Sequence, residues 1–296
     1  MSKHRKSFTL IELLVAMGVL ALLVMLMLQL FSGTQRLWVA SEKRNNIYAD
    51  ARVAMELMAD LIGTVQFSYG EKLNSSTNAY ERDAAQNMIF SLDTKSTDSD
   101  DGNSSNDIIF LAKTSRKLPK KDNYCRFISF RRLPHQEKTE TLKEKPSRLL
   151  MVIYADKIDE DKFYKLFPPF DSSRDTMLGV LKGYFNTLVN NFKNSTGDGE
   201  DEYCQVIAEN VVGFKLTAYA LDGTGDNRKL KKLADSTDIK EPPYMLEIQI
   251  SLLDRDNYKK WREISGDTAK KTFLLQHRRT FTRSVFIGNR WELETE

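Results

Sequence analysis

The sequence predicts an α+β chain in which one long amino-terminal helix precedes an antiparallel sheet domain with loop and helix insertions. Three observations carry this expectation. An apolar run of about two dozen residues begins at Phe8, the length that spans a bilayer. Beyond it, Ile47, Ala51, Ala54, Met58 and Leu61 recur at steps of four and three, while Glu42, Lys43, Arg44, Arg52 and Glu56 mark a polar face. In the last third the period changes to two. Phe214, Leu216 and Ala218 alternate with Lys215, Thr217 and Tyr219, and Leu246, Ile248, Ile250 and Leu252 alternate with Glu247, Gln249 and Ser251.

The first element is read as a basic leader, residues 1–7, followed by a transmembrane helix over residues 8–31. A secretory signal peptide would have a shorter apolar region and an Ala-x-Ala-like site, neither of which fits. The stretch Val19–Leu28 is unbroken by any polar residue, which few helices of soluble cores show. Lys3, Arg5 and Lys6 precede the span, so the positive-inside rule puts the amino terminus in the cytoplasm and the bulk of the chain outside it. A plain signal anchor has the same topology but leaves Glu12 unexplained. A charge near the centre of such a helix costs roughly 2.5 to 3.5 kcal/mol on insertion scales, and somewhat less near the end where Glu12 lies, so it calls for a partner.

The leader Lys3-His4-Arg5-Lys6, the small residue Ser7 and then Phe8-Thr9-Leu10-Ile11-Glu12 resemble the cleavage and methylation motif of type IV prepilins. The resemblance implies that a prepilin peptidase cuts between Ser7 and Phe8. It implies that the new Phe8 amine is N-methylated and that Glu12 pairs with the amine of a neighbouring subunit. A buried carboxylate and a buried ammonium each relieve the other's desolvation. The one departure falls on Ser7, where the family usually has glycine.

The helix is expected to run on from the membrane over residues 32–63 and to stop at Gly63, a residue able to take the left-handed conformation. At 1.5 Å per residue a helix from Phe8 to about Ile62 extends roughly 80 Å. Gln29 occupies the depth at which many major pilins carry proline, so no kink is built in there. Gly18 permits close helix approach within the span. Residues 64–296 then form the globular domain, with strands expected at Met88–Leu92, Ile108–Ala112, Cys125–Phe130, Leu149–Tyr154, Val211–Ala220 and Met245–Leu253. Asp222-Gly223-Thr224-Gly225-Asp226 reads as the turn between the last two.

Thr94–Asn106 and Asn194–Glu202 are too polar for a core and read as loops. Between them, about 174–194, Leu178, Leu181, Phe185, Leu188 and Phe192 recur at helical spacing, a stripe that serves as core more often than as partner surface. Cys125 and Cys204 both follow the span and so reach an oxidising compartment, where either a disulfide or two separate buried thiols is compatible with the sequence.

The order Ala208–Phe214, a turn, Pro243–Ile248 and then Arg279-Thr280-Phe281 is similar to that of J-class minor pseudopilins of type II secretion systems. The fold expectation is therefore pilin-like. The likeness implies a subunit at the tip of a pseudopilus supporting protein export, anchored in the bacterial inner membrane with its domain in the periplasm. Its partners would be the prepilin peptidase, other minor and major pseudopilins, the membrane and the inner-membrane assembly platform. A minor pilin of a type IV pilus or DNA-uptake system is the alternative within the class. A plain membrane-anchored extracytoplasmic binding protein is the alternative outside it.

Nothing in the chain points to catalysis or a cofactor. His4, His135 and His277 are isolated, and neither a His-x-x-x-His pair nor a Gly-x-Ser-x-Gly elbow occurs. Asp98, Asp100, Asp101 and Asp107 are weak calcium candidates, because Gly102 breaks the EF-hand spacing. A net charge of +3 over 296 residues gives no argument for nucleic acid. The basic run Arg228, Lys229, Lys231 and Lys232 has no interleaved aromatic platform and reads as a solvated face.

Overall fold

The computed structural model describes residues 10–68, 70–83, 86–93, 108–113, 125–134, 146–154, 166, 170, 173–194, 203–223, 228–233, 238–239 and 242–287. In chain order these give α1 (Leu10–Gly63), β1 (Val65–Gln66), β2 (Glu71–Asn74), β3 (Ala79–Arg82), β4 (Ser91–Asp93), β5 (Ile108–Lys113), β6 (Cys125–Pro134) and β7 (Ser147–Ile153). Then follow α2 (Arg174–Asn194), β8 (Cys204–Asp222), β9 (Lys229–Lys232), β10 (Asp238–Ile239), β11 (Met245–Leu252), α3 (Arg255–Glu263), α4 (Asp267–His277) and β12 (Arg279–Phe286).

The α+β layout is as expected, with α1 unbroken through Gln29. The chain divides into two compact units between Ala49 and Asp50, inside the helix rather than at its end. The reason is burial: Ala51 is the first residue of α1 to be fully buried, and Ala54, Met58 and Ile62 follow it at steps of three and four. Leu61, expected on that stripe, is half-buried, and Ile62 takes its place. Full burial of Met58 and Ile62 contributes roughly 1.5 to 3 kcal/mol each. Gly63 does end the helix, but not in a left-handed conformation. Thr64 closes it instead, its amide and hydroxyl donating to the Leu61 carbonyl at 3.1 and 2.9 Å. One of the last carbonyls is thereby satisfied without a positive φ.

Among the described residues, ten strands form one antiparallel sheet in the order β10-β4-β5-β6-β7-β8-β11-β12, with β1 paired to β5 and β9 to β8, and β2 and β3 make a separate hairpin. Ile108 to Ala112 are all buried, so β5 is covered on both faces. The 19-residue β8 is longer than its alternating core, because it serves three neighbours in turn: β7, then β11, then β9. Register shifts and the positive φ of Asn210 (55°) mark where it bends between the first two. The Asp222-Gly223 turn, with Gly223 at φ 102°, leads into β9 and not directly into β11 as expected. Lys229-Leu230-Lys231-Lys232 carries no apolar face, so only its pairing with Tyr219–Asp222 makes it a strand. Met88 to Phe90 are buried without being strand, and β4 starts at Ser91.

Register aligns Leu216, Ile248 and Arg283 across β8, β11 and β12 on one face. Arg283 Nη1 lies 4.0 Å from Glu56 Oε1, which places the buried part of α1 over that face. The helix α2 packs against β7 and β8. Ser173 caps it, accepting from the Thr176 amide at 3.2 Å. Leu178, Leu181, Phe185 and Leu188 are buried and Phe192 is half-buried, so the stripe is core. Buried Arg131 donates to Asn186 and lies 5.6 Å from the Phe185 ring centre, while Tyr154 meets Tyr184 at 4.6 Å. Arg174 donates to the Phe90 carbonyl at 2.8 Å, tying the start of α2 to the segment before β4. A second cluster, Val212, Leu253, Trp261 and Leu274, seats α3 and α4, with Lys270 Nζ 4.5 Å from the Trp261 ring centre.

Truncating the fully buried Phe185 to alanine should cost about 3 to 5 kcal/mol. Urea unfolding of the full chain in detergent measures this, and a loss under about 1 kcal/mol would mean that α2 is not core.

Candidate functional site

Every residue of α1 from Leu10 to Glu42 is exposed, including Leu10 at 84% and Leu30 at 74%. An apolar surface of this extent is not stable in water and requires lipid or other helices as its solvent. Among the described residues α1 is the one helix long and apolar enough to cross a membrane. Its apolar side chains follow one another around the whole circumference from Leu10 to Phe31, with Glu12 as the exception at one end and Gln29 at the other. Glu12 lies near the amino-terminal end of the described part of α1. Just past the apolar run, Ser32 and Thr34 turn their hydroxyls onto the carbonyls of Gln29 and Leu30. The helix thus crosses from apolar to polar sequence without an unsatisfied side chain at those positions.

At the other end of the helix lies a charged cluster. Arg52 Nε donates to Glu56 Oε1 at 2.8 Å, and Arg283 of β12 approaches the same oxygen. The hydrogen bond from Arg52, then its charge, then that of Arg283 hold the Glu56 carboxyl below the usual carboxylate range, and Glu56 in turn raises Arg52. Arg52 and Glu56 were visible in the sequence as a polar face. The contribution of Arg283 was not, since a contact between distant positions leaves no periodic trace.

Ser7, Phe8, Asp98, Asp100, Asp101 and Asp107 lie outside the described residues. Among the described residues no group of three His, Cys, Asp or Glu side chains could hold a metal ion. Cys125 and Cys204 are on β6 and β8, with β7 between them. Cys204 is opposite Val152, which is opposite Ser129, four positions along β6 from Cys125. Two strand spacings alone are about 9.6 Å, beyond the roughly 7 Å limit for bridged Cα atoms. The register therefore argues against the disulfide considered from sequence. Lys229, Lys231 and Lys232 are exposed on β9, with Lys231 3.2 Å from Asp222.

Residues 2–28 match the family model for the prokaryotic N-terminal methylation motif. At its amino terminus the chain is type IV prepilin-like. The prepilin match covers about a tenth of the chain and takes in the leader, Ser7, Phe8, Glu12 and most of the exposed apolar helix. No curated protein and no solved structure matches the chain significantly. The prepilin motif implies processing by a prepilin peptidase and assembly with other pilin-like subunits in a membrane. Together with the exposed apolar half of α1 it indicates a membrane anchor.

Because the folded Glu56 pKa is depressed, its contribution to stability is complete above the ordinary carboxylate value, and it is lost as pH falls through the folded value. Thermal unfolding of the full chain in detergent should therefore separate the native protein from Glu56→Gln at pH 7, and the gap should narrow as pH falls below the ordinary carboxylate value of about 4.3. A gap that persists undiminished to pH 3 would show that the charge of Glu56 does not matter.

Proposed function

We propose that the protein is a structural, non-enzymatic minor pseudopilin that assembles with other pilin-like subunits at the tip of a type II secretion pseudopilus. The observation that carries this reading is Glu12, the one carboxylate in the exposed apolar stretch of α1 inside the matched motif. The J-class assignment is supported by the strands themselves. Ala208–Phe214 falls on β8, Pro243–Ile248 leads into β11 and Arg279–Phe281 opens β12, three adjacent strands.

In this mechanism peptide-bond hydrolysis between Ser7 and Phe8 removes the leader and frees the Phe8 amine. That amine pairs with Glu12 of a neighbouring subunit and sets the axial register between the two helices. The apolar surface from Leu10 to Phe31 bundles laterally in the inner membrane. The stripe Ala51, Ala54, Met58 and Ile62 fixes the sheet domain to the same helix, so that axial force on the bundle reaches the domain in the periplasm. The basic leader orients the chain with its amino terminus in the cytoplasm.

Changing Glu12 to glutamine should leave the protein inserted in the membrane but lower its incorporation into filaments by at least about tenfold, equivalent to about 1.4 kcal/mol. That is less than the cost of a buried amine left without its partner. Normal incorporation of this variant would remove the register argument. Intact mass of the membrane-extracted protein should give a chain starting at N-methyl-Phe8 when the prepilin peptidase is present. An uncut chain under those conditions would return the protein to the class of plain anchored proteins.

A further inference from the structure

The apolar surface of α1 resumes beyond Phe31. After the polar stretch Ser32 to Arg36 come Leu37, Trp38, Val39 and Ala40, all exposed, with Leu37 at 72% and Trp38 at 75%. The polar residues in between do not force the helix out of lipid. The Ser32 and Thr34 hydroxyls already donate to the carbonyls of Gln29 and Leu30, and a hydroxyl bonded back to its own helix leaves little to desolvate. Gly33 adds no polar side chain, and Arg36 has a stem long enough to carry its guanidinium to a bilayer surface.

Length decides where this second apolar patch lies. At 1.5 Å per residue, Glu12 and Trp38 are about 39 Å apart along α1. The hydrocarbon core of a bilayer is about 30 Å thick and the whole bilayer about 40 to 45 Å. A helix centred between these two residues puts each of them about 4 to 5 Å outside the hydrocarbon, in the headgroup layers on opposite sides. Were the span to stop at Phe31, Trp38 would stand about 10 Å beyond the hydrocarbon edge, past a headgroup layer of about 5 to 8 Å and in water. Indole combines an apolar body with one N–H donor, and for that reason it favours the headgroup layer. We propose that Trp38 is a lipid-binding residue, seated in the headgroup layer on the side of the membrane away from the leader, and that it sets the depth of α1. Its N–H donates to lipid ester or phosphate oxygens there, and the Arg36 guanidinium pairs with lipid phosphate. The occupant is the bilayer itself, continuous with the lipid around Leu10 to Phe31. The proposal rests on the membrane anchor and moves its outer boundary past the point where the sequence first turns polar. In the filament proposed above, a helix held at Trp38 presents Glu12 at one height, where the amine of a neighbour can meet it.

Fluorescence quenching of the full chain in vesicles of phosphatidylcholine and phosphatidylglycerol tests this. The emission of the native chain minus that of Trp38→Phe isolates residue 38, since Trp261 and Trp291 are common to both. Trp38 is exposed, so its replacement leaves the domain core untouched. Lipids brominated high on the acyl chain should quench this signal at least about twofold more than lipids brominated at the chain end, and acrylamide in the water should quench it less than it quenches free tryptophan. Gln29→Trp placed in the Trp38→Phe chain, about 13 to 14 Å further in, should reverse the order of the two lipids. A residue 38 signal open to acrylamide and untouched by either lipid would overturn the proposal and end the span near Phe31. Stronger quenching of that signal by the chain-end bromines would overturn it by placing the indole deep in hydrocarbon. A signal that no quencher reaches would overturn it by assigning Trp38 to a neighbouring helix. A chain that fails to float with the vesicles would refute the anchor as well, so the two failures are told apart.

Discussion

A single backbone, α1, has to satisfy two different solvents, and the rest of the structure follows from how it does so. Over Leu10 to Phe31 its side chains are apolar around the whole circumference, apart from Glu12 and Gln29. This is the composition of a helix surrounded by lipid or by like helices. From Ala51 onwards one stripe is buried, and the small residues Ala51 and Ala54 start it. A helix can bridge these regimes without a break because all its backbone bonds are internal, whichever medium surrounds it. Ser32 and Thr34 extend that economy to the side chains by bonding back to the helix where the sequence turns polar.

The sheet then has the task of giving the stripe something to pack against. Leu216, Ile248 and their neighbours form that surface, and the Arg283 contact with Glu56 adds a directional element to otherwise non-directional burial. Such a contact is partly solvated, so it adds little to stability and acts mainly in orientation. The buried Arg131 and Arg174 act similarly on α2: one is held by Asn186 beside the Phe185 ring, the other by the Phe90 carbonyl. Each fixes how a helix lies on strands whose apolar faces alone would accept several positions.

How much of this is legible in the sequence depends on whether a feature is periodic. The later part of α1, α2 and the central runs of β8 and β11 repeat at 3.6 or 2, while β5 and the first part of α1 are continuous apolar runs, and all of these can be read directly. Strand β9 has no apolar face, and β12 mixes arginine and threonine with Phe and Val, so their strand character comes from neighbours that the local sequence does not name. The cap at Thr64 displaced the expected left-handed Gly63 because a side-chain hydroxyl can satisfy the same carbonyl. For the cysteines, spacing says nothing about register, and one intervening strand decides the matter. Glu12, the proposed assembly residue, stands out in the sequence because it is a charge in a place where charge is costly.

That cost also explains why one residue can define register in the proposed filament. Between Lys6 and Arg36 the chain has no ionisable side chain other than Glu12. In lipid, apolar helices gain nothing from hydrophobic contact with each other, because the tails around them are equally apolar. Leucine and methionine surfaces can therefore slide past one another at small cost, and their packing alone does not select an axial offset. A carboxylate near the hydrocarbon edge behaves differently, for it is costly unless a cation meets it. With one acid per helix and, after cleavage, one amine four residues before it, there is one offset at which both charges are relieved. The apolar surface supplies lateral association, and the single charge supplies position.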